Sequence, residues 1–531
     1  MPRTLGFFHR GRHSPGRYGV GEAEEGLLAA IVKYSSWDKI ILWTDHSEVP
    51  IISEPRAEVR PVESLNRDLE GGCVDVIHHV GLGPSSFARA RRSRPVPVFT
   101  SVFPALSYNH QLQAHVIESL VRKTDQDTTI FPSRCSMEAV MRIRRQLIES
   151  GLEPNGYLRD AVIPIGVDSD RFTPCTPAQR RDIRERQGIP RNATVALVVS
   201  RFSPADKADL LPLLRSMKYP RTVAAGELVL LLAGGDGYYG AKAYIELLEQ
   251  EVAALGLQDQ VMVRTVNDRS YIIDLVKGSD IFLSPADSVQ ETFGITPLEA
   301  MSAGLPAIVS DWNGYRETVV HGSTGYLAKT TIFNNESLWN RVEHYADFRY
   351  QHLMLGQSVC VDTDTMVGKC YELAERPETL SQMSAAARAH VLENYAWATV
   401  IARYEELWLR NQGNAGCFLT EREFPCALDY FSVFQDYATE IHQDAWLFQP
   451  TRFGLDLCHG KLPLRVLSDL AHSLPADRIR CVLQALLESP ASVSDLVLRT
   501  GDSDKDAIRF CVAWMAKNRV IQAIERNEST Q

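Results

Sequence analysis

Short, mainly apolar runs separated by longer helical patterns constrain this chain more than any other feature. A run too short for a helix and apolar throughout reads as a strand buried on both faces. LGFFH (5–9), KIILWT (39–44), VDVIHHV (74–80), VPVFTSV (96–102) and TTIFPS (128–133) make a first series. TVALVVS (194–200), LVLLLAGG (228–235), QVMVRT (260–265), DIFLSPA (280–286) and PAIVSD (306–311) make a second. Strands alternating with helices build parallel sheets covered on both faces, so the expected class is α/β, with two similar domains. Ligands of such sheets bind outside the carboxyl ends of the strands, which makes the cleft between the halves the expected site.

With 531 residues, the chain has material for about three domains. A first α/β domain is expected over 1–175 and a second over 176–390, with a helix at 391–412 crossing back to the first. From about Gly413 to Arg465 the alternation stops in aromatic-rich sequence without a clean period, which reads as a linker or insertion. Residues 466–531 read as helices in ADRIRCVLQALLES, VSDLVLRTG and DKDAIRFCVAWMAKN, followed by a hairpin in RVIQAIE. That order suits a small winged-helix-like module.

The charge balance gives no reason to expect a bulk nucleic-acid binder: 56 Lys and Arg face 66 Asp and Glu, for a net charge of −10, so any basic site is local. Within the terminal module, Asp502, Asp504 and Asp506 surround Lys505 and Arg509 on the helix that would enter a DNA groove, so phosphate repulsion opposes that role. Protein or peptide contact, or homodimerisation, is the expected use of the module. Ten scattered cysteines without a Cys-x-x-Cys pair argue against a disulfide framework or a zinc knuckle and for a reducing cytoplasm. MPRTLGFFHRGRHSPG is interrupted before an apolar core of signal-peptide length, and no apolar run approaches the roughly 20 residues that span a bilayer. RARRSR (89–94) and MRIRRQ (141–146) leave room for peripheral membrane contact, although solvated helix faces explain them as well. HRGRHSPGR (9–17) is a basic loop that either binds an anion or is solvated surface.

The stretch from Ser284 to Ala328 concentrates the candidate chemistry. Thr296, Pro297 and Glu299 spell a helix start, with Thr296 as N-cap, Pro297 as first helical residue and Glu299 closing a capping box, while Gly304 ends the helix. Capping accounts for Glu299 but not for Glu291, which falls after a strand end and before a glycine turn. The run Glu291-Thr-Phe-Gly-Ile-Thr-Pro-Leu-Glu299 resembles the E-x7-E motif of retaining GT-B glycosyltransferases of family 4. SRFSPADKADL (200–210) resembles the basic motif with which that family grips the donor diphosphate. LLAGGDG (231–237), AVIPIGVDSDRFTP (161–174) and NYAWATVIARYEELW (394–408) resemble its glycine turn, interdomain segment and return helix.

The resemblance covers about residues 1–412 and implies a GT-B fold of two Rossmann-like domains that transfers a hexosyl unit from a nucleoside diphosphate sugar, with retention. It implies that Glu291 holds donor-sugar hydroxyls and Glu299 the ribose, and that backbone amides around Phe293, Gly294 and Ile295 face sugar and diphosphate. Arg201 and Lys207 then stabilise the leaving diphosphate, with no cofactor or metal required. In GRYGVGEAEEGLLAAI (16–31) the family's glycine pair reads Val20-Gly21, leaving Gly21 for phosphate approach. Where many members carry a histidine, this chain has Val102; His79 is a candidate on the acceptor side, with His78 and His110 nearby in sequence. Asp168 and Phe172 read as structural. A carboxylate pair also invites comparison with glycosidases, but a basic grip points to a phosphate leaving group. The competing class is a nonenzymatic regulator that senses a nucleotide sugar and acts through the winged-helix module; donor base, sugar and acceptor are not legible.

Overall fold

The computed structural model describes residues 3–9, 19–44, 54–61, 65–81, 97–102, 126–151, 159–220, 227–237, 240–342, 345–411, 430–467, 470 and 474–524. The loop 10–18, the stretch RARRSR, His110 and residues 413–429 lie outside these. Packing divides the chain into two compact units. The first comprises Met1–Phe172, Thr292–Ser302 and Ala389–Leu428; the second comprises Thr173–Glu291, Ala303–Arg388 and Asp429–Gln531.

In the first unit, β1 (Thr4–His9), β2 (Lys39–Thr44), β3 (Ala57–Pro61), β4 (Val76–Val80), β5 (Val98–Val102), β6 (Thr128–Phe131) and β7 (Arg159–Val162) form one sheet in the order β3-β2-β1-β4-β5-β6-β7. All its pairings are parallel. Alternate residues fill opposite faces: Leu5 and Phe7 join a core with the helices Gly19–Tyr34 and Trp397–Asn411, while Phe8 joins Ile41, Trp43, Ile77 and Phe99 on the other side. Both faces being covered is why these strands read as continuous apolar runs. The return helix seats where side chains give way: a Cβ at Gly166 would lie 2.3 Å from the Trp397 ring.

In the second unit, β8 (Thr194–Val199), β9 (Leu228–Gly234), β10 (Val261–Thr265), β11 (Ile281–Ser284), β12 (Ala307–Ser310) and β13 (Gly325–Ala328) pair in the order β10-β9-β8-β11-β12-β13, again all parallel. Both sheets reverse strand order once, between β1 and β4 and between β8 and β11. The α/β class, with two Rossmann-like sheets, is therefore as expected. At the end of β9 the chain passes so close to β8 that a Cβ at Gly234 would sit 1.7 Å from the Ser200 carbonyl oxygen. Backbone cannot yield there as a flexible side chain would. Gly234→Ala is accordingly expected to cost about 3 kcal/mol, read as a lower urea midpoint; an unchanged midpoint would contradict this packing.

The C-terminal region differs from the expectation of a linker followed by a module with its own hairpin. Glu440–Ile441 completes a small sheet with Thr330–Ile332 and Val359–Val361. The strand Ile521–Ala523 pairs antiparallel with Phe448–Pro450, from within the segment read as linker, and the helix Arg452–Cys458 follows. Aromatic residues masked this from periodicity, because Phe448 and Phe453 are buried anchors rather than members of a repeating face. Helices Ala476–Glu488, Val493–Thr500 and Lys505–Lys517 do form. They share one buried cluster with the second sheet, in which Phe448, Val482, Phe510 and Met515 join Leu213, Leu230 and Met366. The last helix is buried along most of its length, and its Lys505 and Arg509 pair with Asp444 at 3.2 and 3.1 Å. It presents no free basic face of the kind a groove-reading helix needs.

Candidate functional site

The second sheet reverses strand order between β8 and β11, the position at which sheets of this kind bind ligands outside the carboxyl ends of their strands. The loop leaving β8 carries Arg201 and Lys207; the loop leaving β11 carries Glu291. Lys207 Nζ and Glu291 Oε2 meet at 3.2 Å, with the lysine more exposed than the carboxylate. Opposite charges on side chains that still reach solvent cost little to separate, about 1 kcal/mol or less. The pair is thus suited to opening around a ligand that carries both an anion and hydroxyl groups. Arg201 is partly exposed at the start of the same loop as Lys207.

The two loops are held by hydrogen bonds that remote sequence positions supply. Ser288 Oγ donates to the Ala205 carbonyl at 3.1 Å, tying one loop to the other. Trp312 Nε1 donates to the Ser288 carbonyl at 2.9 Å, and Asn313 Nδ2 donates to the carbonyl of Glu291 itself. Asn313 is fully buried with φ of 43°, a left-handed conformation that asparagine tolerates better than most residues. The Tyr315 hydroxyl bonds Ser284 Oγ at 2.8 Å, and burial pushes its pKa well above the usual range, with the nearby Glu291 charge adding to the effect. Trp312, Asn313 and Tyr315 were missed from sequence. The Asn-Gly dipeptide at 313–314 was the available signal, since it marks positions able to take a positive φ.

The rest of the E-x7-E run packs with the first unit. Its helix runs Ile295–Ser302, so Gly294, with φ of +88°, precedes the first helical residue and Thr296 lies inside the first turn. The capping-box expectation therefore shifts: a glycine makes the sharp entry, and Gly304, with φ of +84°, makes the exit. Glu299 is buried, at 6% exposure. Phe293 is buried against Tyr395, ring centroids 6.1 Å apart, so its side chain belongs to the core and only its backbone is left for a ligand. Ser133 Oγ, donating to the Thr292 carbonyl at 2.8 Å, and Ser302 Oγ, donating to the Phe172 carbonyl at 2.8 Å, fix the two ends of this segment.

At the reversal of the first sheet, Gly21 lies exposed in the first turn of the helix Gly19–Tyr34. Among the described residues, nothing comes within 4 Å of a Cβ built on it. His78 and His79 point to opposite faces of β4. His78 is wholly buried, bonded to Thr100 Oγ1 at 2.8 Å and packed on Tyr404 and Trp408; burial holds its pKa well below the usual value, so it stays neutral. His79 pairs in register with Ser101, one residue from the Val80–Val102 pair, and so lies beside the position that Val102 occupies. A contact unseen in the sequence joins His9 Nδ1 to Glu24 Oε1 at 2.7 Å, both buried, where β1 ends. Asp168 accepts from the backbone N–H groups of Asp170 and Arg171, and Phe172 is buried, the structural roles expected. Arg144, within the basic run 141–146, pairs with Asp160 at 2.5 Å. Among the described residues no helix is long and apolar enough to cross a membrane, and no cluster of potential metal ligands occurs.

Residues 179–347 match the model of the family described as glycosyl transferases group 1. A D-inositol 3-phosphate glycosyltransferase of Streptomyces scabiei is 27% identical over 297 residues, covering 54% of this chain and 58% of that protein. A GDP-mannose-dependent alpha-(1-6)-phosphatidylinositol monomannoside mannosyltransferase of Mycolicibacterium smegmatis is 26% identical, covering 50% of this chain and 60% of its own. The chain thus spans under two thirds of the length of these relatives. Among solved structures, a glycosyltransferase from Rickettsia africae aligns with TM-score 0.54 at 16% identity over 78% of this chain and 99% of its own. Anabaena HepE, solved with UDP and glucose, aligns with TM-score 0.52 at 16% identity over 77% of this chain and all of its own. The fold of this chain is that of these glycosyltransferases.

Proposed function

We propose that this protein is a glycosyltransferase that moves a sugar from a nucleoside diphosphate sugar to an acceptor, with retention of anomeric configuration. The observation that carries the reading is the Lys207–Glu291 pair, joining the loops that leave β8 and β11 where the strand order reverses. Donor binding opens that pair: the diphosphate takes the ammonium of Lys207 and the guanidinium of Arg201, and the sugar hydroxyls take the carboxylate of Glu291. As the glycosidic bond to phosphate breaks, negative charge grows on the departing oxygen, and fixed cations there favour the transition state over the ground state. The acceptor attacks on the face the diphosphate leaves, and the phosphate oxygen accepts its proton. Glu299 receives the ribose, the backbone at Phe293–Ile295 and Gly21 approach the phosphates, and His79 lies on the acceptor side. The relatives that act on inositol phosphate or phosphatidylinositol mannoside support an anionic polyol acceptor.

The test is a panel of UDP-glucose, GDP-mannose and ADP-glucose, scored by thermal shift and by slow release of free nucleotide. One donor is expected to raise the melting temperature of the wild type, and Arg201→Ala with Lys207→Ala to weaken that donor about 10²-fold, since each lost charge-assisted contact is worth about 1.5–3 kcal/mol. Equal stabilisation of wild type and double variant would remove the basic grip from the site; no stabilisation by any donor would remove the transferase reading.

A further inference from the structure

Beneath the Lys207–Glu291 pair lies a buried polar network that the proposed chemistry does not use. Asp287, four residues before Glu291, is 1% exposed, and Asp209, two residues after Lys207, is 2% exposed. The backbone N–H of Asp209 donates to Asp287 Oδ2 at 3.3 Å, so the bases of the two loops are joined carboxylate to backbone. Asp209 in turn accepts from Gln357 Nε2 at 3.2 Å and from the Tyr244 hydroxyl at 3.1 Å. The ammonium facing Asp287 comes from far along the chain. Lys517, at the end of the helix Lys505–Lys517, is 3% exposed, donates to Asp287 Oδ2 and also to the carbonyls of Gly356 at 2.9 Å and Val359 at 3.4 Å.

A charge so deeply buried is retained at a desolvation cost that an apolar core residue would avoid, and the best-attested use of such a charge is to impose one arrangement among several. Here the carboxylate that Lys517 faces joins the base of the β11 loop to the base of the β8 loop, while the same ammonium also holds the Gly356 and Val359 carbonyls. Burial pushes the Asp287 carboxyl up and the Lys517 ammonium pulls it down.

We infer that Lys517 is a positioning residue for the donor site: through Asp287 it sets the base of the loop that carries Glu291 against the base of the loop that carries Lys207. The C-terminal helices are then part of the donor-binding machinery, not an independent recruiting module. This rests on the transferase reading for its catalytic consequence, but its structural claim stands on the network alone.

Two readouts on the full-length protein keep those claims separable. Hydrogen exchange of the unliganded protein tests the geometry: Lys517→Met is expected to speed exchange in residues 203–211 and 285–291 while β8, β9 and β12 keep wild-type protection. Uniform loss of protection, or none, overturns the positioning role. The second readout is turnover with whichever of UDP-glucose, GDP-mannose or ADP-glucose the wild type hydrolyses. Lys517→Met is expected to lower kcat by about 10²-fold, the scale of small misplacements of reacting groups, with KM changing far less, and Lys517→Arg to recover most of it. The double variant Asp287→Asn with Lys517→Met removes the unpaired buried charge and is expected to melt near the wild type yet stay slow. Wild-type turnover in that double variant overturns the inference. A wild type that hydrolyses none of the three donors instead sinks the transferase reading, while the exchange experiment still decides whether Lys517 orders the loops.

Discussion

Glu291→Gln is expected to lower sugar transfer by about 10²–10³-fold while leaving the melting temperature within a degree or two of the wild type's. The side chain is of the same size, so packing is conserved, and the carbonyl of residue 291 still accepts from Asn313 Nδ2. Only the charge is lost. In the unliganded protein that charge faces Lys207 at 3.2 Å in a pair that solvent still reaches, so its removal costs little stability. On the proposed function that charge would meet donor-sugar hydroxyl groups, and a neutral amide would not stabilise the positive character that develops on the sugar as the diphosphate departs. Donor affinity is expected to fall much less than turnover, because Arg201 and Lys207 remain. The measurement is initial rate against donor concentration, with circular dichroism and melting as controls. A fully active Glu291→Gln would remove the carboxylate from the chemistry and leave it as a partner of Lys207.

Ending the chain at Leu428 is expected to give an insoluble or protease-sensitive product rather than a smaller folded enzyme. Phe448, Phe453, Val482, Phe510, Trp514, Met515 and Val520 are buried in the same cluster as Leu213, Leu214, Leu230 and Met366. Each such side chain contributes about 1.5–3 kcal/mol through burial, and several together exceed the 5–15 kcal/mol or so by which a domain is stable. Truncation also strips partners from charges that stay behind. Arg215, 2% exposed, donates to Glu251 Oε1 at 2.9 Å and to the carbonyl and side chain of Asn518 at 2.8 and 2.5 Å. Asp287 would lose Lys517, and Asp364 would lose Arg519. Soluble yield and limited proteolysis of the truncated chain check this. A soluble 1–428 product with a wild-type melting temperature would show that the terminal helices are an appended domain after all.

Periodicity alone identified the ten apolar runs that become strands of the two large sheets, because parallel strands buried on both faces are predominantly apolar. β3, β7 and β13 escaped that reading. Residues Ala57–Pro61 and Arg159–Val162 are edge strands of the first sheet, where one side of the ladder meets no neighbour and the sequence is free to be polar. The candidate site was legible to the extent that its chemistry is local. Arg201 and Lys207 share one loop, and Glu291 and Glu299 share one motif. What spacing could not supply was the encounter of Lys207 with Glu291, which depends on β8 and β11 being neighbours in the sheet although β9 and β10 intervene in the chain.

The C-terminal region shows the same division in sharper form. Its helices were readable from their apolar faces, yet their destination was not, because an amphipathic helix records that one side is buried and not what buries it. Lys517 was unremarkable as a basic residue in a last helical turn, and only the fold places it against Asp287, 230 positions earlier in the chain. The α/β class follows from local pattern, and the candidate charged residues follow from short motifs that resemble those of a known family. The joining of the two loops, the buried ammonium beneath them and the fusion of the last helices to the second sheet are long-range contacts. Packing and desolvation select those contacts among surfaces that are equally apolar in sequence.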